Sequence, residues 1–490
     1  MDETRGKTAE LHTPPLGKNS SLLENLTDSD VKWLLTNGEE LLVYNDTTVI
    51  HEGDTIESLY IVNDGLLGVF IPTLGNKRLT AIGPGETIGE MSLLEETPSS
   101  ATVKALETTR LCAIPRQILI QKISEDAPFA ARFYRAISIS ISDRLRWSIE
   151  HMGIGVYGSG DEETRTETWL KISGAALDFK HLMYKADLEA LESEDVVPEE
   201  TAKNALKFFT EFVQFLNHAL YEDSTENIYI REKIAYRTQQ EILPYLLLTE
   251  TAERFYSKPR GYPGDFISLD LIYKNSPQGS GRIGPLLDWC FLNLPPMAAI
   301  RFRKTYIEAE LSNLIEQKRG SVVRVTGIAA APADELFDTY DSLENPSVLK
   351  ATLIEFDSQA LNHLETKRDD AGLNDHLDLL HFELGSKVAP ITNQDLLYCT
   401  SLIDYLNDKL AKRLLNLIHT LLRPGGKVII SNFHTDNSAR AFMDFILEWK
   451  IHHRTEEDLN RLFKESRFKK NCSKIGYDNN SICMFAECVK

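Results

Sequence analysis

The chain has 490 residues with 42% hydrophobic and 26% charged content, which describes an ordinary globular protein too long for a single core and predicts two to four domains. A formal net charge of −20 argues against a binder of duplex nucleic acid, which needs a basic face to displace counterions. No apolar run reaches the length of a membrane span, and the N-terminus lacks an apolar signal core. The six cysteines show no paired metal spacing, so buried thiols of a cytoplasmic protein are expected and no metal site.

Residues 1–22 are polar and read as a tail. In the unit that begins at residue 23, "LLVYNDTTVIHEGDTIESLYIVNDGLLGVFIP", starting at Leu41, alternates short β-branched and aromatic runs with turn pairs. Such punctuation predicts a small antiparallel barrel or jelly roll. Helical spacing over "DAPFAARFYRAISISISDRLRWSIEHM" predicts a long amphipathic helix, closing this unit at residue 152. Gly-rich then charged residues over 153–166 form a linker. Residues 167–255 read as successive helices, 256–320 as a segment carrying "GYPGD" with connecting helices, and 321–490 as alternating strands and helices. The alternation predicts a parallel sheet with crossover helices, finished by an antiparallel hairpin at "KKNCSKIGYD" and "SICMFAECV".

Within the first unit, "HEGD…LYIVNDGLLGVF…GPGETIGEMSLLEETPSSATVKA" resembles the cyclic-nucleotide-binding domain family. The resemblance implies that Gly89 and Glu90 open the short helix at the nucleotide, with Glu90 accepting from the ribose. The family's Pro-Arg pair is Pro98-Ser99 here, followed by Ser100. A serine cannot reproduce a bidentate arginine–phosphate contact, and losing one side of such a pair costs about 2–5 kcal/mol. The barrel is therefore either a receptor for cyclic AMP or cyclic GMP with a relocated clamp, for which Arg110 or Lys104 are candidates, or a regulatory or dimerising module. A linker and acidic helices follow instead of a helix-turn-helix, so no DNA partner is expected. A homodimer through the helix 126–152 is expected from the way relatives of the barrel pair.

On a sheet of the C-terminal kind, a donor site lies at the strand C-termini, near the switch in strand order. The first turn there, "VRVTGIAAAPADEL", offers Gly327, with Ala331 where the related pattern has a later glycine. The second, "LIEFDSQAL", offers Glu355 as acceptor for ribose hydroxyls, with Asp357 one step beyond. The third offers Glu383 for an adenine edge, and Thr400 follows the fourth strand.

The stretch "QDLLYCTSLIDYLNDKLAKRLLNLIHTLLRPGGKVIISNFHTDNSARAFMDFILEWKIHHRTEEDL", with "RFYSKPRGYPGDFISLDLIY" upstream, resembles a bacterial family of class I S-adenosylmethionine-dependent methyltransferases. In that family a cyclic-nucleotide-binding-like domain often precedes the catalytic one. The matching pieces are Asp404-Tyr405-Leu406, the Arg423-Pro424-Gly425-Gly426 turn, Asn432-Phe433, a Trp449…Arg454 helix and the Gly-Tyr-x-Gly-Asp signature. The resemblance implies a Rossmann-like catalytic sheet and S-adenosylmethionine as donor. Its relatives are associated with 3-hydroxy fatty acid methyl esters such as 3-hydroxypalmitate methyl ester, which implies a small or lipid-like acceptor.

Pro263-Gly264 suits the centre of a type II turn, and the flanking Tyr262 and Asp265 are candidates for a lid or pocket wall. His434, after the fifth strand, is a further rim candidate. A carboxylate acceptor is already ionised at neutral pH and needs no general base; a hydroxyl acceptor would need one, from His434 or Asp265. Apolar helices in 167–255 either line an acyl channel or form their own core. The alternative to an enzyme is a non-catalytic sensor or scaffold with both ligand motifs eroded, at Ser99 and Ala331.

Overall fold

The computed structural model describes residues 26–71, 77–90, 98–99, 101–151, 166–222, 228–382 and 391–490. Ser100, Glu383, the tail 1–22 and almost all of the linker 153–166 lie outside the described residues.

The N-terminal unit starts with a helix, Asp28–Thr36, opened by a capping box at Thr27. Eight strands follow: β1 (Glu39–Val43), β2 (Thr48–Ile50), β3 (Ser58–Asp64), β4 (Leu67–Ile71), β5 (Lys77–Ile82), β6 (Thr87–Ile88), β7 (Thr102–Ala105) and β8 (Thr109–Pro115). They form two four-stranded sheets, in order β1-β8-β3-β6 and β2-β7-β4-β5. Successive strand side chains point to opposite faces, which divides the apolar residues between two cores. Val62, Leu67, Ile82, Val103 and Leu111 fill the space between the sheets. Leu59, Ile61 and Ile114 face outward and bury Val31, Phe129 and Phe133. Phe129 and Phe133 lie on the predicted long helix, observed as Ala127–His151. A shorter helix, Arg116–Glu125, precedes it. Arg132 donates two hydrogen bonds of 2.7 Å to Asp30, tying the first helix to the long one.

Helices Glu167–Glu192, Glu199–Asn217, Ile228–Leu246 and Glu250–Ser257 form the middle segment. Phe179, Phe209, Phe212 and Leu216 are fully or almost fully buried in one cluster with Phe291, Phe433, Phe442 and Phe485. Those apolar residues therefore build a core shared with the C-terminal sheet. Phe209 meets Phe442 edge-on at 5.7 Å between ring centroids, which leaves no acyl channel at that contact.

Helices Phe266–Lys274, Gly284–Leu292 and Pro295–Gln317 lead into the last unit. Its strands are β9 (Val323–Ile328), β10 (Leu349–Glu355), β11 (Leu377–His381), β12 (Gln394–Cys399), β13 (Leu422–Phe433), β14 (Lys474–Tyr477) and β15 (Cys483–Val489). They make one mixed sheet in the order β11-β10-β9-β12-β13-β15-β14. The first five are parallel, and β15 and β14 close the sheet as the expected antiparallel hairpin. The "RPGG" turn is drawn into the start of β13, across a register irregularity at Gln394/Leu396. Trp449–Arg454 is not a helix: the run is irregular, and Arg454 bridges to His434. All six cysteines are free, and five are buried. No described helix is long and apolar enough to cross a membrane, and no metal-ligating cluster occurs among the described residues.

Candidate functional site

Strand order reverses at β9: the chain runs from β9 outward to β10 and β11, then returns to place β12 on the other side. The cleft beyond the strand ends at such a switch is where open α/β sheets bind ligands. A cavity of about 50 Å³ lies there. Its floor comes from Ala329 and Ala331 after β9, Glu355–Asp357 at the end of β10, and Ser401–Leu402 after β12. Tyr262, Gly264, Phe266 and Tyr405 form the opposite wall.

Gly327 ends the first strand in close contact: a Cβ there would lie 2.8 Å from the Tyr398 ring and from Leu353. The loop that follows keeps a tight conformation without glycine, since Ala329 has φ 49° and Ala333 φ 58°. Left-handed backbone in a residue with a side chain is sparsely populated and persists where the surroundings enforce it. Here the Ala331 N–H donates to Glu355 Oε1 at 2.8 Å. Glu355 is 4% exposed. Burial pushes its carboxyl up to about 8, the Ala331 amide opposes the rise, and the neighbouring Asp357 adds to it. Burial at the end of β10 thus favours the protonated form of this carboxyl in the ligand-free site.

Asp357 is committed elsewhere. It caps the helix Ser358–Asp370 by accepting from the Gln359 and Ala360 amides, and takes a bidentate pair from Arg260 at 2.6 and 2.7 Å. The Tyr262 hydroxyl donates to it at 3.3 Å. Burial and the Asp357 charge hold the Tyr262 phenol well above its ordinary range.

The "GYPGD" loop is fixed by side chains that hydrophobic periodicity does not reveal. Gly264 adopts φ 73°, as the third position of a type II turn requires, and a Cβ there would meet the Tyr405 hydroxyl at 2.8 Å. Tyr405 in turn donates to the Pro263 carbonyl at 2.7 Å and accepts from Trp449 Nε1 at 3.0 Å. Behind Tyr405, the buried Asp404 carboxylate accepts from Arg303, Asn432 and the Phe433 amide at 2.8, 2.6 and 3.0 Å. The Asp404-Tyr405 run is therefore the strut that holds the wall against the sheet.

Asp265 and His434 are used differently from the expectation of a base. Asp265 is 1% exposed; it caps the helix Phe266–Lys274 and accepts two 2.9 Å bonds from Arg254. His434 packs edge-on against Tyr477 and takes the Asp436 amide on Nδ1, and it is not among the cavity's lining residues. Thr400 is buried beside the cavity, its carbonyl accepting from Ser431 Oγ at 2.5 Å. Its neighbours Ser401 and Leu402 do the lining.

Sequence reasoning missed the junction between the two units. Arg260, one residue before the signature, reaches Glu107 of the β7–β8 turn at 3.3 Å while holding Asp357. Gln359 bonds both Arg260 and Glu107. Arg110 donates to or shares a proton with His381 at the end of β11, at 3.0 Å, and lies 3.6 Å from Asp64. The barrel thus meets the rim of the cavity through charged groups. Lys104 lies over Phe70.

In the cassette, Gly89 has φ 91° and Glu90 is buried. The Ser99 amide donates to the Asp54 carbonyl, and its hydroxyl donates to the Ala101 carbonyl at 2.8 Å. The Ser99 hydroxyl is thus spent on its own loop, and its backbone on the β2–β3 loop at Gly53 and Asp54.

The comparisons with known proteins fall on the same two units. Residues 42–126 match the family model described as "Cyclic nucleotide-binding domain", and residues 261–478 match the one described as "Putative methyltransferase". The chain carries a cyclic-nucleotide-binding domain followed by a domain of that methyltransferase family. The cyclic AMP receptor protein of Thermus thermophilus is 35% identical over 102 residues, covering 20% of this chain and 47% of its own. The cAMP-dependent protein kinase regulatory subunit of Eremothecium gossypii is 35% identical over 102 residues, 21% of each chain. Among solved structures, one described as a possible exported protein from Bordetella parapertussis aligns with a TM-score of 0.41 at 14% identity, over 59% of this chain and 96% of its own. The chain spans less than half the length of the curated relatives it matches.

Proposed function

We propose that the C-terminal unit is a Rossmann-like, class I methyltransferase using S-adenosylmethionine, and that the barrel regulates it through direct contact with the donor site. The observation that carries this reading is Glu355: a buried carboxyl at the end of β10, at the strand-order switch, beside a tight loop with its amide turned inward. Such a group suits the paired hydroxyls of a ribose, while Phe356 and Leu402 provide apolar surface for a base.

S-adenosylmethionine bound here supplies an electrophilic methyl group. Glu355 would accept from the ribose, the Ala329–Ala331 backbone would approach the amino-acid portion, and Tyr262 and Tyr405 would exclude water. For a carboxylate acceptor, already ionised at neutral pH, alignment of the two molecules is the main requirement. That fits a pocket wall of tyrosines, with Asp265 engaged as a cap and His434 packed away. A 3-hydroxy fatty acid carboxylate is the acceptor this reading favours.

The cavity of about 50 Å³ is far below the ~300–1,000 Å³ of ordinary ligand pockets, so donor entry requires the 260–266 wall to move. Arg260 ties that wall to Asp357 and to Glu107 of the barrel. A cyclic AMP or cyclic GMP effector that shifts the β7–β8 turn would change the hold on the wall.

The test is incubation with methyl-labelled S-adenosylmethionine and 3-hydroxy fatty acids of graded length. Label passing into base-labile esters supports the reading. Donor binding without transfer to any carboxylic acid would overturn the acceptor class, and absence of donor binding would overturn the enzyme.

A further inference from the structure

We propose that the helix Glu167–Glu192 is a homodimer interface, pairing antiparallel with the same helix of a second copy of this chain. The helix carries two apolar stripes. One, containing Ile172, Ala176, Phe179, Met183, Ala186 and Ala190, is buried in the chain's own core. The other faces solvent: Leu170 is 63% exposed, Leu177 52%, Tyr184 65% and Leu191 59%. These four recur at intervals of seven. Gly174, His181 and Leu188 fall between them, each four residues after one and three before the next, and Leu188 is 43% exposed. A Cβ on Gly174 would meet nothing within 4 Å.

Alternating steps of four and three over seven positions are the seam of a left-handed two-helix pair. A scattered exposed leucine needs no explanation, but a seven-position seam along 26 residues, about 39 Å of helix, has a definite geometric partner. That partner is another helix with the same period.

The charges flanking the seam select a second copy and its direction. Lys171, Asp178, Lys185 and Glu192 line one flank at intervals of seven. In an antiparallel pair, residues of the same flank meet. A two-fold axis between Leu182 and Met183 sets Leu177 against Leu188 of the copy and Tyr184 against His181. The same register sets Lys171 against Glu192 and Asp178 against Lys185, giving four opposite-charge contacts per dimer. In a parallel pair, opposite flanks meet, so Lys180 would face Lys185 and Asp187 would face Glu192. Lys180 and Asp187 are already paired within the chain, with Glu241 and Arg282, so the direction rests on the Lys171–Glu192 and Asp178–Lys185 contacts, which the antiparallel arrangement makes and the parallel one does not. Lys171 and Lys185 also form i,i+4 pairs with Glu167 and Glu189 at 2.7 and 3.5 Å.

The proposal stands independently of the methyltransferase reading. Sedimentation velocity of the full chain tests it. The unsubstituted chain should be dimeric at micromolar concentration, and Leu177→Glu with Leu188→Glu should raise the dissociation constant by about 100-fold or more. Lys185→Glu should weaken the dimer, and adding Asp178→Lys should restore it. A monomeric unsubstituted chain would overturn the proposal, as would a dimer untouched by the seam substitutions. Direction is read separately by co-expressing Leu177→Cys and Leu188→Cys chains and adding a short bismaleimide, with the unsubstituted chain and its native cysteines as background. A cross-link between the two variants and none within either supports the antiparallel pair. A cross-link formed by Leu177→Cys alone would overturn it.

Discussion

The two ligand cradles of this chain have each lost a residue their motifs favour, with opposite structural results. At the end of β9, Ala329 stands in left-handed backbone at φ 49° and the Ala331 amide still reaches Glu355. The loop has kept its shape because neighbouring groups enforce it. In the barrel, Ser99 occupies the arginine's place, and its hydroxyl donates to the Ala101 carbonyl of its own loop. A backbone cradle tolerates a methyl group where the surroundings hold the conformation; a side-chain clamp cannot be replaced by a shorter side chain. The loop after β9 thus keeps a tight shape with alanines, and position 99 of the barrel carries no charge.

The largest expected effect lies behind the sheet site. Asp404 holds Arg303, Asn432 and the Phe433 amide, all buried. Asp404→Ala leaves Arg303 as an uncompensated buried charge and should destabilise the chain by about 3–5 kcal/mol, measured by urea denaturation. A change near zero would detach Tyr405 and the "GYPGD" wall from that strut. In the barrel, Ser99→Arg should raise affinity for cyclic AMP or cyclic GMP by about thirty-fold or more if only the charge is missing, read by calorimetry. An unchanged affinity would show that the cradle's shape is lost as well.

The pH dependence of the sheet site follows from Glu355. Its folded-state value of about 8 lies above the ordinary carboxylate range, so between roughly pH 4.5 and 8 the folded chain holds a proton that the unfolded chain has released. Ligand-free stability should fall as pH rises through that window, and Glu355→Gln should reduce the slope, leaving the share of the buried Glu335, raised to about 7. Because ribose hydroxyls donate best to the ionised carboxylate, donor affinity should rise by about 25-fold between pH 6.5 and 8.5; a flat profile would mean the carboxyl is already ionised. The smallest effect tests the link between the regions. Glu107→Gln removes one of the charges on Arg260 and should loosen the wall, shifting donor affinity by about threefold with little change in stability.

Much of this architecture was legible in the residues. Turn pairs between short β-branched runs marked the jelly roll, and the "KIGY" and "CMFAECV" runs marked the closing hairpin. Glu355 was readable as a carboxylate at a strand end. Tyr262 was readable because a Pro-Gly turn alone does not demand a flanking tyrosine. Asp265 misled because an N-cap carboxylate and a catalytic one look alike in sequence; only the Arg254 pair separates them. His434 misled because its place after β13 fixes the backbone and leaves the side chain free to pack on Tyr477. Arg260 and Glu107 were invisible because they meet across 153 residues of chain, and no local period records a contact between units. The helix over Trp449–Arg454 came from the family resemblance; the segment is irregular, with Arg454 donating to Asn432 and to the Ile403 carbonyl at 2.9 and 3.1 Å.

The most direct test of the central claim is a calorimetric titration of S-adenosylmethionine into the full chain and into its Glu355→Ala variant at pH 8. The account predicts saturable one-site binding to the unsubstituted chain and a loss of about 100-fold or more in the variant, as expected when two hydrogen bonds to a charged group are removed. No binding at millimolar donor, or equal binding by both chains, would contradict it.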